Sequence, residues 1–146
     1  MDIKIELLHE DAKVPEIQTI GSAGADLYAY IEEGSVTIAP GTTEFIHLGF
    51  KSSFDPGYVA LIYARSGLAC KRDLAPANKV GVIDSDYRGE WMLALHNHGK
   101  EPQVINHLDR IGQVIFHQVE SPYFITVSKV DDTERGAGGF NSTGSN

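Results

Sequence analysis

The chain has 146 residues, and its 20 acidic against 12 basic side chains give a net charge of −8. This length fits one domain with its own core, and the charge argues against nucleic acid or an anionic membrane surface as a partner. The single cysteine, Cys70, cannot form an intramolecular disulfide, and no export signal or long apolar run is visible. We therefore expect a soluble cytoplasmic protein.

The predicted elements are mostly short strands. Alternating apolar residues predict half-buried strands at IKIELL (3–8), SVTI (35–38) and YFITVSKV (123–130). Denser apolar runs predict strands buried on both faces at 58–64, 91–95 and 113–119. The one plausible helix is short, around Gly67 to Arg72, and all six prolines fall between these runs. The pattern predicts an all-β sandwich or jelly roll, with no domain boundary before about Asp131.

The segment RGAGGFNSTGSN, Arg135 to Asn146, is rich in glycine. Its spacing imitates a phosphate-binding loop, but Ser145 replaces the lysine of that motif, and no strand and helix flank it. What remains is a guanidinium and the hydroxyls of Ser142 and Thr143, groups that can bind phosphate. Composition alone favours a solvated terminus, an interpretation that leaves Phe140 unexplained.

The segment GVIDSDYRGE (81–90) lies between two apolar runs. If it is extended, Asp84 and Asp86 share one face and Tyr87 points the other way. The segment is either a turn with solvated aspartates or a carboxylate positioned to take a proton from water.

The segment ARSGLA (64–69) lies where a buried strand meets the predicted helix. Ser66 and Gly67 would then offer helix N-terminal amides to an anion, beside the Arg65 guanidinium. An ordinary N-cap serine explains the same residues.

Three further stretches carry weaker signals. AGADLYA (23–29) contains Asp26, equally typical of a turn, and RIGQV (110–114) contains Arg110 and Gln113. His96 and His98 share a predicted strand face, but without a third ligand they do not predict a zinc site.

Taken together and in order, AGADLYA, ARSGLA, GVIDSDYRGE, RIGQ and RGAGGFNSTG closely resemble the five motifs of the trimeric dUTPases, and they span positions 23 to 144. The resemblance implies a jelly-roll subunit of the dUTPase-like β-clip type, with a body at 1–132 and a flexible C-terminal arm at 133–146. It also implies a homotrimer whose active sites are shared between subunits. The implied activity is Mg²⁺-dependent hydrolysis of dUTP to dUMP and pyrophosphate, which limits uracil in DNA and supplies dUMP for dTMP synthesis.

The resemblance assigns a base-and-sugar role to the third motif. Asp84 would be the general base that activates the attacking water. Tyr87 would pack against the deoxyribose and exclude a 2′-hydroxyl, and Met92 would line the pocket or belong to the core. A tight hairpin would present main-chain groups and an amide to uracil and exclude a 5-methyl group, using Asn78, Gly81, Val82 and Ile83.

The other motifs resemble the family's phosphate-binding residues. Arg65, Ser66 and Gly67 would hold the phosphate chain, and Gln113 would contact the α-phosphate region. Asp26 would touch the metal site through water, with Mg²⁺ held mainly by the substrate phosphates. In the arm, Arg135 would bind the γ-phosphate, Phe140 would stack on uracil, and the remaining substrate contacts would come from Asn141, Ser142 and Thr143.

Three positions depart from the usual motifs. Asn141 stands where glycine is usual, Gly112 where alanine is usual, and Ala64 where proline is frequent. Asn141 could alter arm closure if that position needs a positive φ, while the other two should matter little. Two alternatives stay open: a dCTP deaminase of the same fold, expected to use a glutamate at the base pocket, and a binding or regulatory protein that has lost turnover.

Overall fold

The computed structural model describes residues 1–139, and its regular structure is almost entirely β. Within that range there are eleven strands and one helix, and every strand pair is antiparallel. The elements are β1 (Lys4–Leu7), β2 (Ala25–Tyr28), β3 (Ser35–Ile38), β4 (Thr43–His47), β5 (Phe50–Ser53), β6 (Tyr58–Tyr63), α1 (Ser66–Lys71), β7 (Leu74–Pro76), β8 (Gly81–Asp84), β9 (Met92–Asn97), β10 (Gln103–Asn106) and β11 (Arg110–Gln118).

The strands form four open sheets around one core. A four-stranded sheet has the order β2-β11-β6-β8, and a three-stranded sheet has the order β4-β9-β7. Two-stranded sheets, β1-β5 and β10-β3, complete the body. The core lies between them, where Phe50 packs on Trp91 with ring centroids 5.2 Å apart. This is a jelly-roll-like fold, as the sequence predicts.

Most predicted elements are confirmed. β1, β3, β6 and β11 lie within or over the predicted runs, and α1 is displaced by one residue from its predicted range. β9 is also present, but burial on both faces is wrong for it, because Leu93 and Leu95 are buried whereas Met92 is exposed. With six residues, α1 is far shorter than a bilayer is thick, and no helix within residues 1–139 could cross a membrane.

The strand predicted at 123–130 is wrong. β11 ends at Gln118, and residues 119–139 contain neither a helix nor a strand. Tyr123, Phe124 and Ile125 are among the most exposed large apolar side chains of the described chain. Alternation shows that a segment could be half-buried, but a strand forms only where a partner edge is available. The boundary at residue 132 stays a prediction.

The tight hairpin expected at 78–83 takes a different form. Lys79 adopts a φ of 67°, and its N–H donates to the Pro76 carbonyl at 3.0 Å, so a tight turn does join β7 to β8. The two strands then separate: β8 pairs with β6, whereas β7 pairs with β9. The outer edge of β8 is consequently left open.

Candidate active site

A first cleft, here called the arginine cleft, gathers three of the sequence motifs. It has a volume of about 380 Å³ and lies where β2, β11 and the end of β6 meet. Its lining includes Gly24, Asp26, Arg65, Ser66, Gly67 and Gln113. The residues predicted to bind phosphate are therefore neighbours in space.

Asp26 links two arginines in this cleft. Its Oδ1 accepts a hydrogen bond from Arg65 Nε at 2.8 Å, and its Oδ2 accepts one from Arg110 Nη1 at 3.1 Å. The Asp26 side chain is only 11% exposed, against 27% for Arg65 and 43% for Arg110. Two guanidinium groups share one carboxylate, so the cleft carries a positive charge that can receive an anion. Arg110 was not assigned a role from sequence, because its contact with Asp26 spans 84 residues.

Gln113 is fixed at the rear of the arginine cleft. It pairs with Asp26 on one side of β11 and with Tyr63 on the other. Its Nε2 donates to the Ala64 carbonyl at 2.9 Å. A Cβ at Gly24 would lie 2.9 Å from Gln113 Oε1, so only glycine at position 24 leaves the amide this space.

The first residues of α1 do not fit the interpretation of Ser66 as an N-cap serine. Arg65 is the N-cap residue of α1, with φ −88° and ψ 132°, and Ser66 is already the first helical residue. The interpretation of Ser66 as an ordinary N-cap serine is therefore wrong. The Arg65 carbonyl accepts the N–H groups of Leu68 and Ala69, so the turn that carries Ser66 and Gly67 is held in place.

The strand that bears Asp26 is tied to the preceding loop. Glu16 and Asp26 exchange two main-chain hydrogen bonds, of 3.1 and 2.8 Å. The Tyr28 hydroxyl donates to Glu16 Oε2 at 2.6 Å, and Gln18 Nε2 donates to the same hydroxyl at 3.1 Å. The bond from Tyr28 holds the pKa of Glu16 below its ordinary value, and desolvation raises the pKa of Tyr28. Gln18, which sequence analysis missed, also lines the arginine cleft.

A second cleft, here called the edge cleft, follows the open side of β8. It measures about 230 Å³, and its lining includes Asn78, Val82, Ile83, Asp84, Tyr87 and Met92. β8 is the last strand of its sheet, so some of its main-chain groups face away from β6. Gly81, at the start of the same strand, is buried and does not line the cleft. A Cβ at this position would lie 3.1 Å from Ile62 Cβ. The edge cleft thus combines free peptide groups with an aromatic ring and a carboxylate.

Tyr87 is held by its own segment. Its N–H donates to the Asp84 carbonyl at 3.1 Å, and its hydroxyl donates to the Glu90 carbonyl at 3.1 Å. The Glu90 carboxylate accepts the Gly49 N–H at 3.0 Å and lies 2.8 Å from His47 Nδ1. Glu90 therefore connects the segment that carries Tyr87 to the turn after β4. The spacing of residues in the sequence did not predict this role.

The two clefts are separate within one chain. Asp84 pairs with Val59 at the beginning of β6, whereas Arg65 follows the end of β6. At about 3.3 Å per strand residue, roughly 15–20 Å separates them along β6. Among residues 1–139, none lines both clefts. Within one chain, Asp84 and Arg65 therefore belong to different clefts at opposite ends of β6.

Among the remaining predicted residues of the C-terminal arm, the structure describes only Arg135, which lines neither cleft. Arg135 Nε donates to the Gly138 carbonyl at 2.9 Å, on an exposed stretch of chain. Phe140, Asn141, Ser142 and Thr143 lie outside the described residues. Among residues 1–139, no group of three or more His, Cys, Asp or Glu side chains is arranged to hold a metal ion. In the arginine cleft Asp26 is the one lining carboxylate among these residues, so a divalent cation there would need further ligands from water or from a bound phosphate.

Comparison with known sequences points to one family. The dUTPase family model matches residues 10–144. The deoxyuridine 5′-triphosphate nucleotidohydrolase of Desulfitobacterium hafniense (strain DSM 10664 / DCB-2) is 45% identical over 145 residues, covering 97% of this chain and 95% of that protein. The protein of the same name from Ralstonia pickettii (strain 12J) is 42% identical and covers 99% and 97% of the two chains.

Solved structures share the fold. A mutant dUTPase of Staphylococcus bacteriophage 80alpha with dUpNHpp superposes with a TM-score of 0.89 at 23% identity, over 99% of each chain. A mutant dUTPase of phage phi11 of S. aureus, described with a structural Mg(II) ion, gives 0.81 at 22% identity over 90% of this chain and 100% of that one. Motif order, cleft geometry and full-length sequence similarity agree, and the chain belongs to the dUTPase family.

Proposed function

We propose that this protein hydrolyses dUTP to dUMP and pyrophosphate. The observation that carries the proposal is the pair of clefts with complementary chemistry: the arginine cleft suits a phosphate chain, and the edge cleft suits a flat base and its sugar. Proteins 42–45% identical over nearly the whole chain are named for this activity. The reaction would limit uracil in DNA and supply dUMP for dTMP synthesis.

In the arginine cleft, Arg65 and Arg110 bind phosphate oxygens through the N–H groups that Asp26 leaves free. Ser66 and Gly67 add a hydroxyl and main-chain amides at the start of α1. Gln113 donates one amide hydrogen to the Ala64 carbonyl, and its second amide hydrogen would donate to the α-phosphate region. The −8 net charge of the chain is overcome locally by these groups.

In the edge cleft, the uracil pairs with the free main-chain groups of β8 and with the Asn78 amide. Val82 and Ile83 supply the peptide groups and part of the wall, and Met92 closes the side that faces β9. The Tyr87 ring lies against the deoxyribose. A 2′-hydroxyl would collide with that ring, which separates dUTP from UTP.

Asp84 acts as the general base. Its carboxylate is exposed at the end of β8 and makes no hydrogen bond or ion pair to any residue from 1 to 139, so it can accept a proton from water. The hydroxide equivalent attacks the α-phosphorus in line, the bond to the bridging oxygen breaks, and pyrophosphate leaves. Mg²⁺ would be held mainly by the phosphates of the substrate, and when bound it would offset negative charge on the pyrophosphate. Asp26 supports this arrangement by holding the arginines and, through water, the metal.

The functional unit is a homotrimer with shared sites. Asp84 and Arg65 of one subunit lie roughly 15–20 Å apart along β6, a spacing that supports a site in which one of them comes from a neighbouring subunit. The open face of the β4-β9-β7 sheet exposes 66% of Phe45, an apolar side chain suited to a subunit interface. Arg135, Phe140, Asn141, Ser142 and Thr143 of the arm at 133–146 complete the site over the γ-phosphate and the uracil.

The function is tested with a nucleotide panel. Pyrophosphate release is measured with dUTP, UTP, dTTP and dCTP at equal concentration, with Mg²⁺ and with a chelator, and ammonia release from dCTP is followed in parallel. We expect Mg²⁺-dependent turnover of dUTP and almost none of the others. Ammonia from dCTP would assign the protein to the deaminases, and binding of dUTP without turnover would make it a binding protein.

The shared site is tested by mixing two inactive variants. Asp84→Asn and Arg65→Ala subunits are co-expressed with different tags, and mixed trimers are compared with each variant alone. If each site takes Asp84 and Arg65 from different subunits, every mixed trimer contains one intact site of three. Random assembly in equal amounts then recovers about a quarter of wild-type activity by symmetry. No recovery in verified mixed trimers would place both residues in one subunit's site.

A further inference from the structure

We infer that Gly89 is a specificity-determining residue that positions the ring of Tyr87. The inference rests on the proposed function, since it assumes that Tyr87 meets the sugar of the nucleotide. Gly89 itself need not touch the substrate, and it does not line the edge cleft. Its role would be to leave the tyrosine ring the one place from which it can exclude a 2′-hydroxyl.

The ring of Tyr87 folds back over Gly89. A Cβ built on Gly89 would lie 2.8 Å from Tyr87 Cε2 and still closer to Cζ and the hydroxyl oxygen. Such distances are well inside van der Waals contact, so any side chain at position 89 would have to displace the ring. Of the described glycines, this one meets the most severe obstruction, and the obstruction is one functional side chain.

The backbone conformation at position 89 does not explain why a glycine stands there. Gly34, Gly41, Gly49, Gly57 and Gly136 have φ between +51° and +84°, a region that disfavours other residues. Gly89 is not among the glycines of positive φ. The requirement at position 89 is therefore space for the Tyr87 ring.

The ring is also fixed at its hydroxyl end. The Tyr87 hydroxyl donates to the Glu90 carbonyl at 3.1 Å, and the Glu90 carboxylate anchors that residue to Gly49 N–H at 3.0 Å. Tyr87 as a residue is 40% exposed and is outside the buried core, so its ring can move toward solvent without a loss of core packing. A side chain at position 89 should then shift the ring rather than unfold the chain. We therefore expect a substitution at position 89 to change the preference for dUTP over UTP while the melting temperature stays nearly constant.

The experiment is a double-mutant cycle between positions 87 and 89, read as the ratio of kcat/KM for dUTP to that for UTP. Gly89→Ala should lower this ratio by roughly tenfold or more, toward the value of Tyr87→Ala, because the displaced ring no longer fills the space beside C2′. In the Tyr87→Ala background the same Gly89→Ala change should alter the ratio by less than about twofold. Gly21→Ala is the matched control, since Gly21 is exposed, has no positive φ and has open space for a Cβ.

The outcomes separate this inference from the proposed function. If the wild-type protein does not hydrolyse dUTP, the function itself fails. If the wild type discriminates and Tyr87→Ala does not, but Gly89→Ala keeps the wild-type ratio, only the role of Gly89 is refuted. An equal effect of Gly89→Ala in both backgrounds would show a backbone effect independent of the ring, and would also refute it.

A folding defect would still give an answer. If Gly89→Ala melts too low for kinetics, the melting temperature of the double variant decides. Recovery of that temperature when Tyr87 is replaced by alanine supports the contact between the ring and position 89. An equal loss in both backgrounds overturns it.

Discussion

Replacing Asp26 with asparagine separates two roles for this residue: holding the arginines or contacting the metal through water. Both carboxylate oxygens accept arginine N–H groups, at 2.8 and 3.1 Å. Asparagine keeps one oxygen for Arg65 Nε but presents an N–H to Arg110 Nη1 and removes the charge that both guanidinium groups share. If the carboxylate mainly holds the arginines, both stability and substrate binding should suffer.

The size of the effect follows from burial. Removing one partner of a fully buried ion pair costs about 3–5 kcal/mol, but solvent reaches both arginines here, so about 1–3 kcal/mol is expected. For a chain of this length that lowers the melting temperature by roughly 3–10 °C. The misplaced guanidinium groups bind phosphate less well in the ground state and the transition state alike, so KM for dUTP should rise more than kcat falls.

The assays are a thermal melt without nucleotide and pyrophosphate release across a Mg²⁺ titration. Asp55→Asn is the control, because Asp55 is exposed and forms no ion pair with the rest of residues 1–139. If Asp26→Asn instead melts like the wild type and regains full activity at high Mg²⁺, the carboxylate acts through the metal. The arginine-holding role would then be refuted.

Three further predictions concern the base, the arm and the loop before β2. Asp84→Asn should lower kcat by roughly 10²–10⁴-fold, measured by single-turnover hydrolysis, with little change in melting temperature. If kcat falls by no more than a factor of a few, Asp84 is not the general base. A chain ending at Glu134 should keep the oligomeric state and nearly the melting temperature of the full-length protein while losing most activity. If the truncated chain is unfolded instead, the arm is structural. Because the pKa of Glu16 is lowered, mainly by Tyr28, the ionised carboxylate stabilises the fold above pH 4.5, and this contribution disappears as pH falls through the lowered pKa. Tyr28→Phe should therefore make the melting temperature less sensitive to pH between about 6 and 3, and an unchanged pH profile would contradict the linkage.

The spacing of apolar residues along the sequence correctly predicted several strands, because strand formation there depends on neighbouring residues. The period-two runs at β1 and β3 and the dense runs at β6 and β11 became strands, because alternation and apolar content determine which faces can be buried. The short helix predicted around Gly67 to Arg72 was found one residue earlier, at Ser66–Lys71. The motif order placed Arg65 and Gln113 in one cleft, although only three-dimensional pairing across β11 shows that they meet.

What local pattern missed depends on distant partners. Arg110 reaches Asp26 from 84 residues away, and Glu90 reaches Gly49 from 41 residues away. Neither contact can be predicted from the spacing of neighbouring residues in the sequence. The departure at Gly112 is similar: a Cβ there would lie 3.0 Å from Leu93 Cδ2, so the fit of alanine depends on a side chain of another sheet. Such residues become visible only when the sheets are assembled.

If the protein assembles as the proposed homotrimer, the failed strand prediction at 123–130 and the separation of the two clefts have a common explanation. Tyr123, Ile125 and Val127 alternate as a strand would, yet they are exposed within one subunit, with Tyr123 94% exposed. The alternation is preserved in a segment that finds no partner edge in its own chain, as expected if the edge belongs to a neighbour. The same neighbour could bring its edge cleft to the arginine cleft, some 15–20 Å from the chain's own Asp84. A segment that pairs only across the interface would then connect trimer formation to the completion of each active site.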